Sequence, residues 1–387
     1  MTYSFLKKML YPVKNAYIYT AIFAFGAFFY FAFSPFSETL NYIFHIGFFA
    51  CILLNFAVLI TFNRGKSFFD TFIIFCSYVL LINIRKYGGL IYWSSPDYCY
   101  LSSFLPLNLC YFLFWKNNAK LLSRKSIYVI LALLTEYSAL ENLAVHNINL
   151  TLFPSFFGLN NFSFAVFAMV LLLSFIKMNQ FDGEIYKAYF FKTLSLFFAF
   201  LLSVQISAIC LFFFLSALIL LVNTISSIYK DVFYDEQTGV FNKYSFFARA
   251  RQIFPITYCV SVTRIDDCDA IIKEYGYKNF ARVLKMSVAE LCEANGVDGV
   301  YRIASNLFLL LFFDKNKNEG FEIMENIRRK IATSEFMLFH PKKSIKITIT
   351  SAITEGKRSD SNNKTAIISR AYDKIKSSLS QNVTLKA

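Results

Sequence analysis

Apolar runs long enough to cross a bilayer set the terms for everything before residue 228. A membrane-spanning helix needs about 20 mostly apolar residues, because nothing inside a bilayer satisfies an open backbone. Eight runs reach or approach that length, near 16–34, 41–62, 68–84, 98–115, 127–145, 161–178, 188–204 and 206–228. The last two are nearly continuous. Residues 188–228 are too long for one span, and Ser203, Gln205 and Ser207 predict a polar hairpin between two. Composition agrees: 56% of the 387 residues are hydrophobic, with 48 Phe and 24 Tyr. A water-soluble globular chain is not this apolar.

The charges orient these spans. Lys7, Lys8, Lys14, Arg64, Lys66, Lys116, Lys120, Arg124, Lys125, Lys177 and Lys187 flank one set of ends. The opposite loops carry only Arg85 and Lys86, and 146–160 has no Lys, Arg, Asp or Glu. The positive-inside rule makes the first set cytoplasmic, and eight spans then place both termini in the cytoplasm. The net charge of +14 is spread through short loops. A nucleic-acid binder would gather it in one patch with exposed aromatics. Membrane lipid, and no nucleic acid, is therefore the expected partner.

Within the spans, Glu136 and Glu141 form a possible intramembrane polar site. Carboxylates there are costly and face a protein interior or a water cavity. They could bind a cation or polar ligand, pair with Arg85 or Lys86, or serve as solvated or protonated structural groups. Pro106 predicts a kink. Tyr92, Trp93, Tyr98 and Tyr100 suit an interfacial aromatic belt. The polar content is too low to favour a transporter. The eight Cys form no C-x-x-C and read as reduced thiols. His45, His146 and His340 are too dispersed to form a ligand cluster.

The composition changes after residue 228. Tyr258–Thr263, Leu307–Phe313 and Ile345–Ile349 read as strands, and Lys278–Glu293, Gly320–Thr333 and Lys364–Ser378 as helices. Alternating strands and helices over this length make one α/β domain. The predicted organisation is a membrane domain over 1–228 and an α/β domain over 229–387.

Two motifs give that domain a resemblance. Asp235-Glu236-Gln237-Thr238-Gly239-Val240-Phe241-Asn242-Lys243-Tyr244-Ser245-Phe246 follows the pattern D-x-L-T-G-L-x-N-R-x-x-F. Tyr301-Arg302-Ile303 then leads through Ala304-Ser305-Asn306-Leu307-Phe308 into an apolar strand. Together they resemble the GGDEF family of diguanylate cyclases, with Ala304 to Phe308 at the signature pentapeptide. The resemblance implies a polytopic helical membrane domain followed by a cytoplasmic α/β GGDEF-like domain, its central, mostly antiparallel sheet flanked by helices. It implies a bacterial cytoplasmic (inner) membrane location, and a chemistry joining two GTP into cyclic di-GMP across a homodimer with Mg²⁺ ions on the phosphates.

The residues that would do this chemistry are altered. With Tyr275-Gly276 as anchor, Arg264 falls at the metal-binding Asp, and a guanidinium cannot ligate Mg²⁺. Asp266 matches the second Asp of that strand. Ala304, Ser305, Asn306 and Leu307 replace the signature Gly-Gly-Asp-Glu. Ile272 and Ala281 fall at the guanine-contacting Asn and Asp. Asn295 stands for the Arg of the product-inhibition motif, while Asp298 remains. The candidate nucleotide contacts are therefore Asp266, Asn295, Asp298 and Arg302, with no catalytic set and no resident cofactor expected. The implied function is a membrane sensor with a degenerate output module that binds a nucleotide (GTP or cyclic di-GMP), a homodimer mate or another signalling protein. The alternative is a divergent, active, Mg²⁺-dependent diguanylate cyclase.

Overall fold

The structure is a computed structural model that describes residues 16–88, 96–115, 123, 127–133, 135–136, 159, 161–180, 184–250, 257–338, 342–357, 364–378 and 380–387. It divides into two compact units, Met1–Ile228 and Tyr229–Ala387.

The first unit is helical. Its helices are α1 (Ala16–Phe33), α2 (Glu38–Thr61), α3 (Gly65–Gly88), α4 (Pro96–Phe114), α5 (Asn161–Gln180), α6 (Glu184–Leu201) and α7 (Ile206–Phe233), the last ending in the second unit. Residues 127–133 and 135–136 are also helical. Among the described residues, four helices are long and apolar enough to cross a membrane: α2, Gly65–Arg85 of α3, α5 and α7. Shorter apolar helices cover Tyr17–Phe33 and Tyr100–Phe114. Apolar side chains cover the outside as well as the core. Phe25 (71% exposed), Phe28 and Leu53 face outward, while Phe48, Tyr78 and Phe213 are fully buried. A helix apolar all round belongs in a core or a bilayer. Small residues let these helices approach closely: a Cβ at Gly47 would lie 2.8 Å from the Phe214 ring.

The hairpin between the last two helices falls at residues 202–205. Gln205 Oε1 accepts from Tyr30 and Ser34 (2.7 Å each), and Ser207 Oγ accepts from Phe36 N (3.0 Å). Tyr98 corrects the aromatic-belt expectation. It is fully buried and bonds Phe200 O and Ser203 Oγ of this corner. Tyr92 and Trp93 lie outside the described residues.

The second unit contains β1 (Phe241–Asn242), α8 (Lys243–Ala250), β2 (Thr257–Ile265), α9 (Cys268–Glu293), β3 (Gly299–Ala304), β4 (Leu307–Phe313), α10 (Lys317–Thr333), β5 (Phe336–Met337), β6 (Ser344–Ile345), β7 (Ile349–Lys357), α11 (Lys364–Ser377) and β8 (Thr384–Lys386). The main sheet has the order β1-β3-β4-β2-β7-β8. Its central pairs are antiparallel and its two outer pairs parallel. The run β2-α9-β3-β4-α10-β7 is a split βαβ core. Both faces of β4 are covered. Phe308, Leu310 and Phe312 pack with α9 and α10, while Leu309 and Leu311 pack with Phe246 of α8 and Ile367 of α11. A strand buried on both faces reads as one continuous apolar run.

One predicted strand moves, and one predicted helix gains a short helix before it. The strand read at Ile345–Ile349 is the end of short β6 followed by irregular chain, and the long strand is Ile349–Lys357. The helix read at Lys278–Glu293 is present, and a short helix from Cys268 that the sequence reading missed precedes it, the two separated at Gly276, where φ is 78° and ψ 161°. That backbone favours glycine.

Candidate functional site

β2, the β3–β4 turn and the start of β7 bring the sequence-predicted residues to one end of the central strands. Arg264 pairs with Leu307 on one side and Thr350 on the other. The turn is tied to β2, with Ile265 N donating to Asn306 O (3.0 Å) and Asn306 Nδ2 donating to Ile265 O (3.3 Å).

Arg302 holds the turn from behind. Its Nε donates to Ala304 O (3.2 Å), its Nη2 to Ser305 O (2.6 Å) and its Nη1 to Asp235 Oδ1 (2.7 Å). Asp235 also accepts from Thr238 N and Oγ1 (2.9 and 2.7 Å). Burial acts to raise the Asp235 pKa, but the bonds from Thr238 and Arg302 outweigh it and hold the carboxyl below its usual value. The two motifs, 67 residues apart, thus meet in one ion pair. Asn242 caps α8 by accepting from Ser245 N (3.1 Å).

Asp266 is 3% exposed. Its oxygens accept from Thr348 Oγ1 (2.9 Å), Thr350 Oγ1 (2.9 and 3.0 Å) and Asn382 N (3.1 Å). Arg264 Nε lies 3.4 Å from Oδ1, and the Arg264 side chain is 28% exposed. Asp298 Oδ2 accepts from Phe313 N (2.7 Å), closing the start of β3 onto the end of β4. Asn295 is exposed in the turn before Gly296. Ile272 packs against the core. Three of the four candidate nucleotide contacts, Asp266, Asp298 and Arg302, thus carry hydrogen bonds that hold the unit together. Among the described residues no group of three or more His, Cys, Asp or Glu side chains is arranged to hold a metal ion.

In the helical unit, Glu136 Oε2 accepts from Asn108 Nδ2 (2.8 Å), and its Oε1 is buried without a hydrogen-bond partner. Of the alternatives, pairing of Glu136 with Arg85 is not seen among the described residues: Arg85 Nη1 donates to Ser203 O (2.9 Å) at the hairpin. Glu141 lies outside the described residues. Pro106 lies inside α4, and Asn108 Nδ2 also donates to Phe104 O (2.9 Å).

A stronger ionic feature escaped the sequence reading. Lys192 of α6 is 1% exposed and Asp70 of α3 is 6% exposed. Lys192 Nζ lies 2.8 and 2.6 Å from the two carboxylate oxygens and 3.8 Å from the centre of the Tyr189 ring. Beside this pair, Tyr189 Oη donates to Leu109 O (2.7 Å), Lys177 Nζ to Leu113 O (3.0 Å) and Lys66 Nζ to Trp115 O (2.5 Å). The available signal was one acid inside run 68–84 and one base inside run 188–204. Two opposite charges in separate apolar runs can be kept cheaply only together.

No protein-family profile matches the chain, and no curated protein does. Among solved structures, the chain is similar to the coiled coil and GGDEF domain of DgcB from Caulobacter crescentus in complex with c-di-GMP. Identity is 18% and TM-score 0.40, over 43% of this chain and 92% of that one. The FimX GGDEF domain from Pseudomonas aeruginosa matches at 15% identity and TM-score 0.33, over 40% of this chain and 98% of that one. Diguanylate cyclase SiaD in complex with its activator SiaC, also from Pseudomonas aeruginosa, matches at 16% identity and TM-score 0.34, over 43% and 65%. Likeness at these values transfers no residue roles.

Proposed function

We propose that this chain is a membrane-bound signalling protein of the cyclic di-GMP type, whose α/β unit is a degenerate GGDEF-like module used for nucleotide binding or partner docking and not for catalysis. The observation that carries this reading is the state of Asp266 and Arg264. Arg264, at the position of the family's metal-binding Asp, presents a cation. Asp266, which matches the second Asp of that strand, has its oxygens bonded by Thr348, Thr350 and Asn382. Mg²⁺ needs open oxygen ligands, so these residues do not fit it, and no step is routed through a metal. Asn306 and Leu307 supply no acid from the turn. Metal, base and phosphate contacts would each be worth about 1–4 kcal/mol, and all are altered together.

The surviving contacts favour a scaffold role. Arg302, Asp235 and Thr238 still fix the turn. We place the protein in a bacterial inner membrane with both termini cytoplasmic, on the charge asymmetry of its loops. The test is titration of the purified full chain with GTP and with cyclic di-GMP, with and without Mg²⁺, alongside an assay for cyclic di-GMP formation. The expected result is no Mg²⁺-dependent product above a heat-killed control. Product well above that control would replace this reading with a divergent cyclase.

A further inference from the structure

We propose that Lys66 and Lys177, backed by the buried Asp70–Lys192 pair, form a binding site for a phosphate group at the end of the helical unit where α4 finishes. The inference rests on the helical unit lying in a bilayer and is independent of the role assigned to the α/β unit. Lys66 lies in the first turn of α3 and Lys177 in the last turn of α5. Both helices are long and apolar enough to cross a membrane, so the two lysines stand at headgroup depth.

The end of α4 gathers them. The last carbonyls of a helix have no partner within it. Here Lys66 Nζ donates to Trp115 O (2.5 Å) and Lys177 Nζ to Leu113 O (3.0 Å). Two ammonium groups from different helices thus converge on carbonyls two residues apart. Tyr189 Oη donates to Leu109 O, one turn earlier on α4, and its ring lies 3.8 Å from Lys192 Nζ. Lys192 in turn holds both oxygens of Asp70, which follows Lys66 by one turn on the same face of α3. Asp70, Lys192 and Lys177 all act electrostatically on Lys66.

The charges in this constellation do not balance. Lys192 takes up the Asp70 carboxylate, so that acid does not repel an incoming anion. Among the described residues, two ammonium groups then face about half a negative charge from the α4 terminus. The flanking sequence adds to the excess. Residues 115–126 carry Lys116, Lys120, Arg124 and Lys125 and no acid, while Asp182 and Glu184 stand beside Lys187. Lysines that only snorkel separate their charges in water. Lys66 and Lys177 are instead half-buried and directed at one helix end. A phosphate matches that arrangement, because its oxygens accept several N–H donors at once and its charge offsets the pair. Basic pockets between spanning helices take up anionic headgroups on this principle. A lipid headgroup and a soluble phosphate share this chemistry.

The experiment uses the full chain and separates the two sources. In phosphatidylcholine nanodiscs with part of the lipid replaced by phosphatidylglycerol, native mass spectrometry counts the lipid retained on the released protein. In phosphatidylcholine alone, equilibrium dialysis measures binding of radiolabelled inorganic phosphate. Preferential retention of phosphatidylglycerol assigns the site to a headgroup, and phosphate binding without it assigns the site to a soluble anion. With either probe, Lys66→Gln and Lys177→Gln are each expected to weaken binding about fivefold. Lys66→Arg, which keeps the charge, and Lys230→Gln, which removes one from the end of α7, should leave it unchanged. A second measurement needs no variant: the bound probe should slow acetylation of Lys66 and Lys177 but not of Lys230. Retention of neither probe, an equal loss in Lys230→Gln, or equal acetylation with and without probe would overturn the proposal.

Discussion

Asp266 is 3% exposed and accepts hydrogen bonds from two threonine hydroxyls and a main-chain amide. Removing such an acceptor strands its donors, and each buried unsatisfied group costs roughly 1–3 kcal/mol. Asp266→Ala is therefore expected to destabilise the α/β unit by about 2–4 kcal/mol, read as a lower urea midpoint at unchanged slope. A metal ligand held only by metal would show no such loss in metal-free buffer. Glu325 gives a pH-dependent counterpart. Hydrogen bonds from Arg328 dominate, burial opposes them, Thr384 assists, and the carboxyl is pulled down to about 2 from 4.5. A depressed folded-state pKa gives stability that is present above the unfolded value and lost as pH falls through the folded one. The contribution of Glu325 should thus disappear between about pH 4.5 and 2. Glu325→Gln should flatten the acid limb of the stability curve in that window. An unchanged limb would show that the Arg328 pair is silent. Burial likewise raises the Cys259 thiol to about 12, with Glu355 and Glu319 adding to it, in keeping with a reduced thiol inside the core.

At the scale of elements, β4 was legible from sequence because burial on both faces leaves its apolar run uninterrupted. β7 was misplaced because its buried positions include Thr350, Ser351 and Thr354, which sequence alone reads as polar. Their partners, Asp266, Thr263 and the Ile367 carbonyl, come from distant segments. The turn motif was legible as a string of residues, but the bond from Arg302 to Asp235 was not, because only the sheet brings the two together. The same limit hid Asp70 and Lys192, which are 122 residues apart. Their pairing makes an asymmetric prediction. Lys192→Ala leaves a buried carboxylate unpaired and is expected to cost the helical unit about 3–5 kcal/mol. The double change Asp70→Leu with Lys192→Met should recover most of that loss, because a well-packed apolar pair replaces a buried ion pair at little net cost. The readout is the thermal midpoint in detergent. Equal midpoints for the single and double variants would remove the coupling.

At the scale of the whole molecule, one continuous helix enters the second unit. α7 runs from Ile206 to Phe233, and the unit boundary falls inside it, after Ile228. There is no Gly/Ser linker of the flexible kind. The terminal turn is fastened: Tyr234 N donates to Lys230 O (2.8 Å), Asp235 N to Val240 O (2.7 Å), and Asn242 Nδ2 to Val232 O (2.7 Å). Tyr229 packs at a tilt against Phe233 (4.7 Å between ring centres), and Tyr234 stacks on Phe241, which in turn lies 5.5 Å from the Tyr301 ring. Tyr301 adjoins Arg302, which holds the signature turn. A rotation or axial shift of α7 therefore has a short, packed route to that turn. Inserting a Gly-Ser segment between Lys230 and Asp231 interrupts the route at its first step and leaves both cores untouched. The insertion variant is expected to express and to keep the urea midpoint of the α/β unit, yet to fail to complement a deletion of the gene in cells. Full complementation would show that the helices serve as an anchor and that nothing is transmitted through α7.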